Sequence, residues 1–211
     1  MKSALEINKE YSEKFIQPIG NPEITGYLKE LIEDKNIKNI IDLGCGDGIL
    51  IYAIKKTYPK IKIVGIDISP RRIENLKNKF PKSKFYCRDV CQTKLKKESF
   101  DFVHSSQTIE HVEDDKKMVE EMYRLLKKGG FLLVSSVIKK PFAVYKYRNR
   151  HKKFALDPTH EKEYKNRKEF LDLFKERFKL IKYKVDPVRR EIFSFNIRIP
   201  GYYLIEGIWK K

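Results

Sequence analysis

The chain is poor in the residues that cross-link a fold, build a structural metal site or span a membrane. It has three cysteines (Cys45, Cys87 and Cys91) among 211 residues, and their odd number and their spacing predict neither disulfides nor a zinc site. No apolar run approaches the ~20 residues that cross a bilayer, and residues 1–10 contain no signal-peptide core. A length of 211 residues suits one domain with a sizeable core. We therefore expect a single-domain, cytoplasmic, globular protein.

The positive charge of the chain is unevenly distributed. The whole sequence carries a net charge of +17. Residues 139–211 contain 21 Lys and Arg against 9 Asp and Glu, a net charge of +12, whereas residues 1–138 carry only +5. Such an asymmetry can attract an acidic partner such as nucleic acid. It can equally be the solvated surface of a lysine-rich protein, and the sequence leaves both interpretations open.

A glycine-rich turn at residues 39–48 organises the sequence. An apolar, β-branched run ends in Asp42, and Gly44, Gly46 and Gly48 then alternate before a second apolar run. This pattern predicts a buried strand, a tight turn and the start of a helix. Glycine can take a positive φ and lets a ligand approach the backbone, and the N–H groups of a helix start favour a polar or anionic ligand group.

A second acid supports a nucleotide-like ligand at this turn. Residues 61–67 form an apolar strand that closes on Asp67, 19 positions after Gly48. An acid at the end of the second strand of a nucleotide-binding unit accepts hydrogen bonds from ribose hydroxyls. The glycine spacing is G-x-G-x-G, because Ile49 follows Gly48, and this weakens a dinucleotide interpretation.

Together these motifs resemble the class I S-adenosylmethionine-dependent methyltransferases, and within them the small-molecule group called type 11. The resemblance covers roughly residues 37–137. It implies a doubly wound, mostly parallel seven-stranded sheet with helices on both faces and an antiparallel last strand. It also implies S-adenosylmethionine as the cofactor, held by Asp42, Gly44, Cys45, Gly46, Gly48, Asp67, Ile68, Asp89, Val90 and Gln107.

Hydrophobic periodicity supports the same alternating architecture. Beyond the first two strands, apolar runs predict strands at 84–87, 100–105 and 131–137, and a closing pair at 178–185 and 192–199. Helices are predicted to open at Pro22, after the glycine turn, at Ser69-Pro70, and over 115–127 and 167–178. Strands that alternate with helices imply a doubly wound parallel sheet.

The resemblance assigns roles to residues after the third and fourth strands. Asp89 would receive the adenine amino group, and the backbone N–H of Val90 would bind the ring. Gln107 would lie beside the reactive methyl group. His111, in the segment Glu110-His111, is a candidate general base because its unperturbed pKa is near neutral; it can also be a capping or structural residue.

Residues 139–166 depart from a minimal version of the fold. Residues 139–154 contain seven basic residues and no acid, interleaved with aromatics, and Asp157-Pro158-Thr159-His160 follows. The resemblance suggests an acceptor wall in which His160 and Tyr164 orient a hydroxyl group, with His160 as a second candidate base. A loosely ordered basic loop is the alternative.

We therefore divide one methyltransferase domain, residues 1–211, into four parts. Residues 1–36 form a helical lid in which Tyr11, near Phe15 and Ile16, contacts the methionine end of the cofactor or simply packs. Residues 37–137 bind the cofactor, 138–166 form the basic insertion, and 167–211 hold a closing helix, strands and a tail. The sequence does not decide whether the tail at 200–211 covers the cavity, packs on the sheet edge or joins a partner.

The expected activity is methyl transfer to an oxygen or nitrogen of a small-molecule acceptor. Oxygen is favoured because His111 and His160 can serve as bases, and no metal is predicted. The alternative is an RNA or protein methyltransferase that uses the basic half, although the sequence lacks the Asn/Asp-Pro-Pro-aromatic and Pro-Cys motifs of nucleic-acid methylation. A nucleoside-binding protein without transfer activity is a third possibility. The oligomeric state is not predicted.

Overall fold

A central sheet carries most of the described chain. A computed structural model describes residues 2–15, 19–24, 26–192 and 195–211. Within these residues a seven-stranded sheet has the strand order β3-β2-β1-β4-β5-β9-β8. A separate two-stranded ladder, β6-β7, lies in the basic insertion. The strands are β1 (Asn39–Leu43), β2 (Lys62–Asp67), β3 (Lys84–Cys87), β4 (Phe100–Ser106), β5 (Leu126–Lys139), β6 (Tyr147–Arg148), β7 (Phe154–Ala155), β8 (Lys179–Ile192) and β9 (Phe195–Lys210).

The strand directions confirm the doubly wound fold expected from the sequence. β1 pairs in parallel with β2 and β4, β2 with β3, and β4 with β5. β9 runs antiparallel to both β5 and β8. The strand order reverses between β1 and β4, and the carboxyl ends of parallel strands at such a point form the usual ligand crevice of open α/β sheets.

The helices follow the predicted order with shifted ends. They are α1 (Ala4–Lys14), α2 (Gly26–Asp34), α3 (Ile49–Thr57), α4 (Pro70–Lys79), α5 (Asp115–Leu125) and α6 (Arg167–Asp172), with a 3₁₀ turn at Ile109–His111. Ser69 caps α4 as expected, since its hydroxyl accepts from the N–H of Arg72 at 3.2 Å. In the described residues, none of these helices has the length and apolar character needed to cross a membrane.

Three predicted helix boundaries are wrong. α2 begins at Gly26 rather than at Pro22, and α6 ends at Asp172 rather than at residue 178. The helix predicted over 115–127 ends at Leu125, because Leu126 already pairs with Phe100 in the β4–β5 ladder. The sheet contact therefore overrides the local helical periodicity.

Apolar side chains cover both faces of the sheet. Neighbouring strand residues fall into different clusters, as with Ile40 and Ile41, because successive side chains on a strand point to opposite faces. One cluster packs α5 and α6 against the sheet, and the other packs α2, α3 and α4. Burial of these two faces holds the strand ends, and the loops that follow them, in fixed positions.

The segment treated above as a tail is part of the central sheet. β9 continues through residues 200–210, where Trp209 pairs with Leu132 and Tyr202 with Lys139. The expected strand pair at 178–185 and 192–199 is lengthened into β8 and β9. Ile16, named above in the lid, lies outside the described residues.

Candidate functional site

The glycine turn joins β1 to α3 and requires glycine at two of its positions. Gly44, Gly46 and Gly48 have φ values of +76°, +53° and +92°. A Cβ at Gly44 would lie 2.1 Å from Thr108 Oγ1, and one at Gly48 would lie 2.4 Å from a methyl group of Leu76. A side chain at either position would therefore be strained by its backbone and would collide with its neighbour.

Asp67, at the carboxyl end of β2, fixes the shape of this turn. Its carboxylate accepts from the N–H of Gly46 at 2.8 Å through Oδ2 and from the N–H of Ser69 at 2.9 Å through Oδ1. The side chain is buried, and this burial raises the pKa of Asp67 above its ordinary value. Each carboxylate oxygen has two acceptor sites, so each keeps one for a further donor such as a ribose hydroxyl.

The residues expected at the adenine end lie beside Asp67. Cys87 pairs with Asp67 across β2 and β3, and the next N–H, that of Arg88, donates to the Asp67 carbonyl at 3.0 Å. Asp89 accepts from the N–H of Cys91 at 2.8 Å, and Val90 is buried. Ile68 follows Asp67 and is partly buried. The two acids thus follow neighbouring strands at one edge of the sheet.

Asp42 and Cys45 direct their side chains into the protein. Asp42 Oδ1 lies 2.7 Å from Nδ1 of His104, its register partner on β4. The buried Cys45 sulfur lies near Gly65 of β2, since a Cβ on that glycine would be 2.9 Å from it. Burial raises the pKa of the Cys45 thiol well above its ordinary value. Any ligand contact at Cys45 is therefore made by its backbone.

Gln107 follows β4 in a conformation that non-glycine residues seldom adopt. Its φ is +52°, and its N–H donates to the Ser135 carbonyl at 3.1 Å. With the amide turned to satisfy both of its polar atoms, the nitrogen donates to Glu110 Oε1 at 3.2 Å and the oxygen accepts from the Ser136 N–H at 3.3 Å. Such strain costs roughly 1–3 kcal/mol and is common at functional sites.

Helix α1, expected to form a lid, bridges the start of α4 and the insertion. Glu13 accepts from Ser69 Oγ at 2.5 Å, next to Asp67. Asn8 donates to the His111 carbonyl at 2.9 Å, and the Tyr11 hydroxyl donates to Asp157 Oδ2 at 3.3 Å. Tyr11, expected either to contact the methionine end of the cofactor or simply to pack, therefore contacts the insertion.

His111 is held by a short polar chain from the insertion. Thr159 Oγ1 lies 2.5 Å from Asp157 Oδ1 and 2.9 Å from His111 Nδ1. Because the threonine proton goes to the carboxylate, its oxygen accepts from Nδ1–H of His111, which leaves Nε2 as the basic nitrogen. Burial, with the nearby His160, lowers the pKa of His111 to about 4, so the ring is neutral near pH 7.

Glu110 and His160 lie beside this ring. The rings of His111 and His160 are 4.8 Å apart, and His160 Nδ1 contacts Glu163 Oε1 at 2.6 Å. Burial raises the pKa of Glu110 to about 7. Burial disfavours the charged form of His160, but the hydrogen bond with Glu163 and the charge of Glu110 raise its pKa above the ordinary value. The structure thus brings together the two histidines that the sequence singled out as candidate bases.

Tyr164 lies in the core, and its hydroxyl is engaged by Asp115. Its side chain is fully buried, its ring packs on Phe170, and its hydroxyl donates to Asp115 Oδ2 at 3.2 Å. Burial, and then the charges of Asp115 and Glu110, raise the pKa of Tyr164 well above the ordinary value. We therefore leave Tyr164 out of the proposed acceptor site.

Several residues of the site were not predicted from the sequence. Arg72 Nε lies 3.6 Å from Asp47 Oδ2, and its Nη2 donates to the Phe15 carbonyl at 2.9 Å. The sequence contained a signal for Arg72. A cation in the first turn of a helix opposes the helix dipole, and its presence there indicates a nearby acid. His104, Thr159 and Glu163 carry no comparable signal, since their partners are set by strand register or by an irregular loop.

Comparison with known proteins identifies relatives of this chain. Residues 41–134 match the type 11 family described as a methyltransferase domain. The chain is 28% identical over 173 residues to malonyl-[acyl-carrier protein] O-methyltransferase of Acetivibrio thermocellus, covering 78% of this chain and 60% of that protein. It is 30% identical over 131 residues to ubiquinone biosynthesis O-methyltransferase of Coxiella burnetii, covering 60% of this chain and 54% of that protein. The chain thus spans less than two thirds of the length of these curated relatives.

A solved structure shares the fold. A SAM-dependent methyltransferase from Methanosarcina mazei superposes with a TM-score of 0.66 at 18% identity, covering 90% of this chain and 98% of that one. At this identity the likeness establishes the architecture, while substrate and mechanism have to be argued from the site itself.

Proposed function

We propose that the chain is a class I S-adenosylmethionine-dependent methyltransferase that moves the methyl group to an oxygen or nitrogen of a small-molecule acceptor. The family match over residues 41–134, the curated relatives and the shared fold support this proposal. Oxygen is the favoured acceptor atom, because the partly buried His111 and the buried His160 lie together where the lid meets the insertion. The printed names of the two curated relatives, both O-methyltransferases, support this choice.

The observation that carries the proposal is the hydrogen bond between Gly46 N–H and the Asp67 carboxylate. It joins a glycine-rich turn, a helix start and an acid at the carboxyl end of the neighbouring strand β2, which is an arrangement suited to an adenosyl group. The chemistry of the residues present fits S-adenosylmethionine, whose sulfonium carries an already activated methyl group. The residues proposed to hold it are Asp42, Gly44, Cys45, Gly46, Gly48, Asp67, Ile68, Asp89, Val90 and Gln107.

The protein's main task in such a reaction is positioning. Holding two reactants in line contributes up to ~7–11 kcal/mol in favourable cases. In our proposal Asp67 and Asp89 orient the adenosyl group, α1 closes the cleft through Glu13 and Tyr11, and His111 accepts the acceptor's proton at Nε2. Thr159 and Asp157 hold the His111 ring in the tautomer that this role needs.

Replacing Asp67 tests the cofactor site. We expect Asp67→Asn to weaken S-adenosylmethionine binding roughly 10- to 100-fold, because a hydrogen bond to a charged group is worth about 1.5–3 kcal/mol. Isothermal titration calorimetry measures the affinity. Asp101→Asn is the matched control. Asp101 also accepts backbone N–H groups, those of Lys38 and Asn39 at 3.0 and 2.8 Å, but it lies next to the amino ends of β1 and β4, at the opposite end of these strands from the glycine turn.

The two variants separate binding from folding. Both remove a carboxylate that holds backbone groups, so both are expected to lower the urea midpoint, whereas only Asp67→Asn is expected to lower the affinity. Equal affinities in Asp67→Asn and Asp101→Asn would show that the cofactor site is misassigned.

A labelling experiment separates a small-molecule acceptor from RNA or protein. Two cations of the insertion are already engaged: Arg150 binds Glu113 and Glu161 at 3.0 and 2.8 Å, and Arg148 lies 4.0 Å above the Phe154 ring. These contacts favour a structural role for Arg148 and Arg150 over a nucleic-acid contact. With methyl-labelled cofactor and a cell extract, we expect label in the low-molecular-weight fraction and none in RNA or protein. Label in RNA, with binding that falls steeply as salt rises, would instead support the alternative.

A further inference from the structure

Three potential metal ligands from two parts of the chain meet inside the protein. Glu110 and His111 lie in the turn after β4, and His160 comes from the basic insertion. One ligand atom from each of them lies within 4.8 Å of the other two. Donors to one Zn²⁺ ion with bonds of about 2.0–2.2 Å lie roughly 3–4 Å apart. The observed cluster therefore reaches ligand geometry through side-chain shifts of about 1 Å or less.

Hydrogen bonds hold the two histidine side chains of this cluster in place. His111 Nδ1 bonds Thr159, which is itself fixed by Asp157, and His160 Nδ1 bonds Glu163. Within the described residues both Nδ1 atoms are thus engaged, and Nε2 is the ring nitrogen left available. Outer hydrogen bonds of this kind, which fix the tautomer of each imidazole, accompany most histidine metal ligands.

Glu110 completes the set with a buried carboxylate. It is fully buried, and Ser136 Oγ donates to its Oε2 at 3.0 Å. The N–H groups of Glu161 and Lys162 donate to the Glu110 carbonyl at 2.8 and 3.1 Å, which ties the insertion to this turn. Burial disfavours the charged form of this carboxyl group, and a cation bound beside it would favour that form.

We propose that Glu110, His111 and His160 bind one divalent transition-metal ion, with Zn²⁺ as the first candidate. Two imidazole nitrogens and one carboxylate oxygen suit Zn²⁺ and its neighbours, whereas Mg²⁺ and Ca²⁺ prefer oxygen ligands throughout. Three protein ligands leave at least one position open, as in catalytic zinc sites. The proposal revises the sequence-based expectation of no metal, and it does not depend on methyl transfer. His111 Nε2 would therefore ligate the ion in the metal-bound protein and accept the acceptor's proton only in the metal-free protein.

Metal binding by the full-length protein tests the proposal. After removal of adventitious ions with a chelator, we expect titration with ZnCl₂ to give about one ion per chain by elemental analysis and calorimetry. Glu110→Gln and His160→Ala are expected to weaken binding at least tenfold, and Thr159→Val roughly 10- to 100-fold through the outer contact. His151→Ala is the matched control, because His151 is an exposed histidine of the same insertion that pairs with Glu161.

The variants keep the proposal falsifiable. Circular dichroism and S-adenosylmethionine binding identify any variant that fails to fold, and Glu110→Gln preserves the size of the side chain. The proposal is overturned if the wild-type protein binds no ion, or if Glu110→Gln and His160→Ala bind as tightly as His151→Ala. In either case the cluster is a proton-sharing network without an ion.

Discussion

Replacing Gly44 by alanine is expected to abolish S-adenosylmethionine binding and to destabilise the protein severely. Gly44 has a φ of +76°, where an L-residue costs about 1–2 kcal/mol. The new Cβ would also lie 2.1 Å from Thr108 Oγ1 and 2.4 Å from its methyl group, and such overpacking costs typically 1–3 kcal/mol more. Relief of the clash would move the turn away from Asp67. Urea unfolding and calorimetry measure the two effects.

Gly129→Ala is the matched control for this prediction. Gly129 has the same φ of +76°, but nothing lies within 4 Å of its added Cβ. It should therefore lose only the backbone part, about 1–2 kcal/mol, and keep its cofactor affinity. In the Gly44→Ala background, Thr108→Ala removes the two nearest atoms and should recover part of the lost stability, since neighbouring substitutions are not additive. Equal losses in Gly44→Ala and Gly129→Ala would show that Thr108 does not confine the turn.

The contrast between these glycines illustrates what local sequence can predict. Alternating glycines between an apolar strand and a helix predict a tight turn without any information on distant residues. The turn and the acid Asp67 were therefore identified from the sequence. The cap at Ser69 was identified in the same way. The positions of β1, β2 and β3 follow from short apolar runs bounded by polar residues. These features depend on residues close together in the chain.

The parts that sequence could not supply depend on contacts between distant residues. His160 reaches Glu110 because the insertion folds back over the turn after β4, and no periodicity encodes that path. Tyr164 was predicted to border the acceptor, but its hydroxyl donates to Asp115. The N–H of Lys139 donates to the Tyr164 carbonyl at 2.8 Å, and this backbone contact fixes Tyr164 beside the end of β5. Leu126 likewise belongs to β5 and not to α5, because it pairs with Phe100 of β4.

The part of β9 after residue 199 was not predicted, because its sequence disfavours a strand. Pro200, Gly201 and Gly207 interrupt the apolar pattern, and such residues usually weaken a strand. The structure explains Gly207: a Cβ there would lie 2.2 Å from the Trp209 ring. The glycine therefore makes room for a neighbouring indole, a reason that only the folded arrangement reveals.

Trp209→Ala is expected to remove about 3–5 kcal/mol of stability, the usual cost of truncating a buried tryptophan. Trp209 is 1% exposed, its ring lies 4.1 Å from that of Phe174, and the Phe170 ring is 6.0 Å away. The indole thus joins β9 to α6 and to the segment after it. The large cavity left behind cannot collapse easily, because Gly207 offers no side chain to fill it. Urea unfolding monitored by far-UV circular dichroism measures the loss.

Leu204→Ala provides the comparison on the same strand. Leu204 is 39% exposed, so its truncation should cost less than about 1 kcal/mol. If β9 is a sheet strand held by one buried aromatic side chain, the loss of stability is much larger in Trp209→Ala than in Leu204→Ala. If the segment is a loosely attached tail, both losses are small. Because β9 lies between β5 and β8, loss of the Trp209 anchor should also release β8. Hydrogen exchange in β8 is therefore expected to rise in Trp209→Ala and to stay unchanged in Leu204→Ala.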